Sequence, residues 1–313
     1  MKSLSFKAIL PIAVWIVFAI SPVPAGLQQN AWNFFALFAA VVVGLIVEPI
    51  PAAAIGLIGV SIATVFQMVE PSSEGSIKWA LGGFANSTIW LIFAAFMFAS
   101  GYQKTGLGRR LALMLVKVFG GKTLGLGYAI TFSDLILAPF MPSNTARSGG
   151  TIFPIIRNIP GLYGSEPGET ARKIGSYVMW TSLAASCVTS SMFSTALAPN
   201  LLAVDLIKKT VGIQISWTAW FIGFLPIGII LILTLPLLIY KIYPPEIKIS
   251  REVPLWAVNE LAKLGKLTFK EMIMGALAIF ALVLWIFGQN IINATTVAMV
   301  RVCLMVLTKV VTW

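Results

Sequence analysis

The chain has 313 residues, of which 58% are apolar and only 11% are charged, and its formal net charge is +11. Soluble domains carry about 25% charged residues, so this composition excludes an ordinary soluble protein and indicates an integral membrane protein. The basic residues lie in the connections between apolar runs, as an orientation signal does, so we expect no nucleic-acid partner. The absence of histidine excludes histidine metal sites, Ser-His or Cys-His nucleophiles and histidine proton relays.

A membrane-spanning helix needs about 20 mostly apolar residues. Candidate spans lie near 7–22, 31–48, 52–69, 84–103, 174–194, 217–240, 271–289 and 293–312. The first could instead be a signal peptide, since Val23-Pro24-Ala25 resembles a cleavage site. An uncleaved span is favoured, because the rest of the chain is equally hydrophobic. Cys187 and Cys303 lie inside apolar runs and are expected to be buried, small apolar residues without a redox or metal role.

The charges of the connections predict the topology. Lys2 and Lys7 place the N-terminus on the cytoplasmic side of the inner membrane, and most other basic residues then also face the cytoplasm. The connection over 241–270 carries many of them and is expected to include a helix that lies on the membrane surface. This pattern holds only if the region 123–158 crosses the membrane an even number of times, as a re-entrant hairpin does.

A polar break interrupts that region at 142–150, where Pro142 and the pair Gly149-Gly150 suit the tip of a hairpin. A helix over 145–158 would rise about 21 Å, which is less than the hydrocarbon thickness of about 30 Å. We therefore expect the arm to stop inside the bilayer. Irregular backbone at that depth is tolerated only where protein or a water-filled cavity covers it.

A second break is predicted at 195–200, where Pro199 removes a backbone donor, so that a broken helix covers about 174–207. Two interrupted segments in one hydrophobic chain are the best sequence indication of a transporter site. Ser194, Thr195, Ala198 and Asn200 are candidates for lining an ion or substrate cavity. Ordinary chemistry of a proline kink is the alternative.

The first tip carries the strongest candidate site. A helix that starts near Thr145 presents free N–H groups and a positive dipole end, and Ser143, Asn144 and Thr145 add polar side chains that can hold a carboxylate. The alternative is a helix cap with interhelical hydrogen bonds. Arg147 either supplies positive charge beside a substrate anion or pairs with Asp134, the only carboxylate in the facing arm.

The segments 140–150 (FMPSNTARSGG), 190–200 (SSMFSTALAPN) and 242–246 (IYPPE) resemble the divalent anion:sodium symporter superfamily, in its branch of citrate/succinate and 2-oxoglutarate/malate translocators. The resemblance implies an all-α, polytopic membrane protein with a re-entrant helical hairpin and a broken transmembrane helix. It further implies two inverted repeats, elevator-type movement and a homodimer. Ser143, Asn144 and Thr145 match the motif that contacts substrate and, in sodium-coupled members, sodium.

The implied organisation has scaffold spans at 1–104, a transport-type region at 105–240, a cytoplasmic connection at 241–270 and the start of a second repeat at 271–313. The implied function is secondary transport of di- or tricarboxylates, with antiport favoured because Arg147 could replace a sodium charge. No organic cofactor is expected. Only one Ser-Asn-Thr motif is present, so the alternative is a truncated fragment without transport activity, or one piece of a split transporter. An intramembrane enzyme lacks the required histidine or second carboxylate.

Overall fold

The computed structural model describes residues 2–288 and 291–311. Within those ranges the chain is helical and has no β-strand, apart from an isolated antiparallel bridge between Lys122 and Ile249. The prediction of an all-α fold is confirmed. The chain divides into two compact units, residues 1–86 and 87–313.

The first unit is a series of helices in which each packs on the next. It contains α1 (Lys2–Ile20), α2 (Gln29–Val47), α3 (Ala52–Val65), α4 (Ser73–Leu81) and a 3-10 turn over Gly82–Ala85. The helix α3 ends four residues before the predicted span does, and Gln67 has a positive φ of 48° just beyond it. α4 lies between the predicted spans 52–69 and 84–103 and was not expected to be a helix. Ser72 caps it by accepting a hydrogen bond from the N–H of Gly75.

The second unit contains the remaining helices. They are α5 (Ser87–Thr105), α6 (Leu107–Phe119), α7 (Thr123–Leu137), α8 (Phe153–Ile156), α9 (Gly175–Met192), α10 (Ala198–Val211), α11 (Trp217–Ile242), α12 (Glu252–Leu264), α13 (Phe269–Phe287) and α14 (Ala294–Leu307). The core forms where α7 packs between α6 and α9, while α14 packs on α5. The predicted ends of the last two spans, at Gln289 and Thr312, lie outside the described residues.

Four described helices are long and apolar enough to cross a membrane: Gln29–Val47, Thr123–Phe140, Trp217–Ile242 and Phe269–Phe287. Large apolar side chains such as Leu183, Ile242 and Phe287 are exposed on the outside of the helices. Lipid contact explains such a surface, since soluble proteins rarely expose apolar patches of this extent. The expectation that Cys187 and Cys303 are buried is wrong. Both are exposed, because each lies on the outer face of its helix.

The amphipathic helices α6 and α12 pack the predicted cytoplasmic connection (241–270) against the rest of the second unit. α12 packs along α6, which lies between the predicted span 84–103 and the predicted hairpin 123–158 and was not expected to be a helix. The buried guanidinium of Arg110 in α6 binds Glu271 in α13 at 2.7 Å and donates to the carbonyl of Gly265 at 2.9 Å. Arg110 therefore holds α6 and α13 together.

The segment before α12 is fixed by hydrogen bonds to the base of the hairpin. The N–H of Thr123 donates to the carbonyl of Lys248 at 3.0 Å, and the hydroxyl of Ser250 donates to Gly120 at 2.6 Å. The N–H of Glu246 donates to the carbonyl of Arg172, just before α9. The connection therefore joins the starts of α7 and α9.

Candidate functional site

The first break is shorter than the sequence predicts. After α7, a 3-10 turn covers Ala138–Phe140, residues 141–143 are not helical, and helix resumes at Asn144. The pair Gly149-Gly150 lies inside the second arm and not in the break, which corrects the predicted tip at 142–150. The second arm ends at Ile156, so it is even shorter than the predicted helix over 145–158.

The second arm begins as a π-helix, Thr145–Ile152, which continues into α8. π-Helical turns are rare and frequently occur at functional sites. Within this π-helix, the carbonyl of Ala146 accepts hydrogen bonds from Gln103 Nε2 at 3.0 Å and from Thr151 Oγ1 at 3.3 Å. Gln103, which the sequence analysis did not single out, therefore ties α5 to the start of this arm.

Arg147 lies under the tip with none of its side chain exposed. Its Nε donates to Asp134 at 3.1 Å, and its Nη1 donates to the carbonyls of Met141 at 2.9 Å and Ala196 at 3.1 Å. Its Nη2 donates to Asn144 Oδ1 at 2.8 Å and to Thr189 Oγ1 at 3.3 Å. A guanidinium has five N–H donors, so these five hydrogen bonds give each donor an acceptor.

Asp134 is the matching buried anion, with 1% of its surface exposed. Besides Arg147, it accepts hydrogen bonds from Ser148 Oγ at 2.7 Å and from the hydroxyl of Thr189. Ser148 in turn accepts a hydrogen bond from the hydroxyl of Ser186, at an Oγ–Oγ distance of 2.8 Å. Of the two roles that the sequence left open for Arg147, the ion pair with Asp134 is present in the structure.

The second break lies between α9 and α10, over Phe193–Leu197, with a 3-10 turn at Ser194–Ala196. Pro199 lies in the first turn of α10, where its missing N–H has no helical partner to lose. Asn200 donates to the carbonyl of Ser190 at 2.7 Å, which lies in the last turn of α9. It also donates at 3.2 Å to the carbonyl of Phe193, which accepts from the N–H of Ala196 as well. Asn200 thus caps the break from its far side.

The two breaks are hydrogen-bonded to each other. The N–H of Ala198 donates to the carbonyl of Pro142 at 3.1 Å, and the hydroxyl of Thr195 donates to Pro139 at 2.8 Å. Arg147 adds its bond to Ala196. Backbone carbonyls of each break therefore accept hydrogen bonds from the other break, as unpaired backbone groups must where water is absent.

The predicted binding residues of the tip face outward from this network. Ser143 and Asn144 are half-buried, and Thr145 is exposed. Ser143 contributes its carbonyl to the N–H of Arg147 and its hydroxyl to the N–H of Ala146. The N–H groups of Asn144 and Thr145 have no carbonyl one turn earlier within the helix, so the helix start keeps its positive end.

Ser194 and Thr195, two of the four candidates at the second break, border a cavity, while binding of an ion or substrate there stays a prediction. They line a cavity of about 150 Å³ that Trp217 and Lys208 also border. Trp217 donates its indole N–H to Thr195 at 3.1 Å. Ala198 and Asn200 do not line this cavity and instead donate the hydrogen bonds described above.

The fold and this site define a polytopic membrane protein in which two discontinuous segments meet at one polar cluster. The chain matches the family model described as the sodium:sulfate symporter transmembrane region over residues 2–313, and it belongs to that family. The family consists of transporters, not enzymes, and the family resemblance stated from the motifs is confirmed.

Named relatives include the L-tartrate/succinate antiporters of Escherichia coli (strain K12), Shigella sonnei (strain Ss046) and Shigella flexneri. Each is 49% identical to this chain over 321 residues, in a match that covers 98% of this chain and 66% of the relative. The chain therefore spans just under two thirds of the length of these relatives.

Proposed function

We propose that this chain takes part in the secondary transport of small dicarboxylates by antiport, with the tip of the first break as its substrate site. The family supports transport, and the names of the relatives support exchange of dicarboxylates such as succinate. Citrate and sodium symport remain family-level alternatives. The proposal includes a multi-pass chain in the inner membrane with a cytoplasmic N-terminus, elevator-type movement between inverted repeats, and a homodimer.

The orientation of Asn144 carries the site proposal. Its Oδ1 accepts a hydrogen bond from Arg147, so its two Nδ2–H donors are the part of the amide that remains for a ligand. The hydroxyls of Ser143 and Thr145 and the helix start lie beside it. A carboxylate can thus be bound by neutral donors, which allows release as well as binding. Arg147 acts through Asn144, as a positioning residue.

Arg147 also supports exchange without sodium. Unwound carbonyls at discontinuous helices are the groups that hold Na⁺ in many transporters. Here the carbonyls of Met141 and Ala196 both accept from the guanidinium, so a protein-bound cation already occupies that oxygen set. We therefore propose that transport needs no sodium at this position, while a sodium ion near Ser143, Asn144 and Thr145 remains the alternative.

The variant Asn144→Asp tests the site. It keeps the acceptor for Arg147 but replaces the two donors with a negative charge, so succinate binding should fall at least tenfold while the melting temperature stays within a few degrees. Binding is measured with labelled succinate on the purified chain, and exchange is measured as counterflow in proteoliposomes with and without sodium. The matched control is the same substitution at Asn33 of the first unit (Asn33→Asp), which should leave succinate binding unchanged. Unchanged succinate affinity in Asn144→Asp would move the site away from this tip.

A further inference from the structure

A cleft on the predicted cytoplasmic side lies beside the second hairpin arm. Its walls are the end of α5 and start of α6 (102–109), the second hairpin arm with the residues after it (150–158), and Leu264 of α12. Its volume is about 460 Å³, within the range of about 300 to 1,000 Å³ that is usual for small-molecule sites. We call it the basic cleft.

The lining of the basic cleft is positively charged. It contains Lys104, Arg109 and Arg157 and no acidic residue. Arg109 pairs with Glu260 at 2.7 Å, a carboxylate that it shares with Lys263, whereas Lys104 and Arg157 form no ion pair within residues 2–288 and 291–311. Both are exposed, so the cleft has two uncompensated cations at its mouth. A concave site of one charge sign raises the local concentration of ions of the opposite sign.

One hydrogen bond links the lining of the cleft to the candidate substrate site. Gln103 lines the cleft and donates to the carbonyl of Ala146, next to Thr145. Gly150 lines it on the opposite wall, and a Cβ there would lie 2.5 Å from Gln103 Nε2, so a side chain at 150 would displace this contact. The cleft therefore runs along the hairpin arm that begins at the tip.

We propose that the basic cleft is an electrostatic entrance for small dicarboxylate dianions, with Lys104 and Arg157 as the attracting groups. The proposal rests on the proposed function, because it assigns to the substrate a route to the same tip. It adds a second, weak binding site at which charge, and not the shape of the substrate, decides entry. Neither residue needs to contact the substrate once it is bound at the tip.

Thiol labelling tests this without requiring transport. In a Cys187→Ser, Cys303→Ser background, Asn158→Cys places one thiol at the exposed mouth of the cleft, in nanodiscs of neutral phosphatidylcholine. The anionic methanethiosulfonate reagent should react about tenfold faster than the cationic one, relative to their rates on free cysteine. Salt at 1 M should remove that preference, because the Debye length then falls to about 3 Å.

The charge variants identify the source of the preference. Lys104→Gln with Arg157→Gln should bring the rate ratio close to one, whereas Lys117→Gln with Lys122→Gln, outside the cleft, should leave it unchanged. Succinate should slow the anionic reagent more than potassium chloride of equal ionic strength does. Any of three results would overturn the entrance: equal rates for both reagents, an unchanged rate ratio in the Lys104 and Arg157 variant, or no protection by succinate. Loss of the Asn144 effect alone, with labelling as expected, would overturn only the site at the tip.

Discussion

Replacing Arg147 with methionine separates its two candidate roles. Methionine has similar length but no donors, so the variant leaves Asp134 buried without its cation and removes the donor from the carbonyls of Met141 and Ala196. Removing one partner of a buried ion pair costs about 3 to 5 kcal/mol. At about 2 °C per kcal/mol for a domain of more than 200 residues, the melting temperature should fall by about 6 to 10 °C.

The double variant with Asp134→Leu should recover part of this loss. Ser148 keeps Ser186 as a partner when the carboxylate is gone, so no buried charge remains and only hydrogen bonds are lost. We expect a coupling energy of about 2 to 3 kcal/mol between positions 134 and 147. Arg147→Lys keeps the charge but has three donors in place of five, so its stability should be intermediate.

Thermal unfolding of the purified chain, followed by tryptophan fluorescence, measures these changes. Arg157→Met is the control, because an exposed arginine on the same stretch should change stability by less than about 0.5 kcal/mol. If Arg147→Met melts like the wild type but no longer binds succinate, Arg147 is a substrate ligand and the assignment as a positioning residue is refuted.

Two further predictions concern charges outside the site. Arg301 is 0% exposed, and among the described residues its guanidinium has no hydrogen-bond partner. It lies over the ring of Phe98 at 3.6 Å and near that of Trp285 at 5.1 Å. Such cation-π contacts are worth about 0.5 to 2 kcal/mol, less than burial of a lone charge costs, so Arg301→Leu should raise the melting temperature, and a fall would contradict this. The pKa of Glu260 lies below its ordinary value of 4.5 because Lys263 donates to it and Arg109 is near. Because the pKa is lowered in the folded chain, this stabilisation is present at neutral pH and is lost as the pH falls below about 4.5. Thermal melting between pH 6 and 3.5 should therefore show a loss of stability of up to about 1 kcal/mol. The variant Glu260→Gln should lack this loss.

The apolar runs predicted the helices well because a span is a property of a continuous stretch of sequence. The predicted span 217–240 corresponds to Trp217–Ile242, and the predicted hairpin start at 123 corresponds to the start of α7. α6 was missed as a helix because its basic residues were interpreted only as a topology signal. Its partner, Glu271, is 161 residues away from Arg110, and no local pattern indicates such a pairing.

The candidate site shows the same division between local and distant information. Asp134 was predicted as a partner of Arg147 because it is the only carboxylate in the facing arm, a local fact. The acceptors Ala196 and Thr189 come from another helix pair, so a single sequence gave no basis for choosing between pairing and substrate contact. The π-helix was also unpredicted, since Gly149 and Gly150 are as typical of a tip as of a widened turn.

The hydrogen bonds between the two breaks limit how this region can move. Sliding the hairpin past α9 and α10 would separate Ala198 from Pro142 and Thr195 from Pro139, and would leave Ala196 without Arg147. Each backbone group left unpaired in hydrocarbon costs several kcal/mol, so three broken contacts exceed what binding of a small dianion supplies. The hairpin and the broken helix must therefore move as one body. This is what an elevator mechanism requires of the region that carries the substrate, and a disulfide between a cysteine pair placed across the two breaks should leave exchange intact.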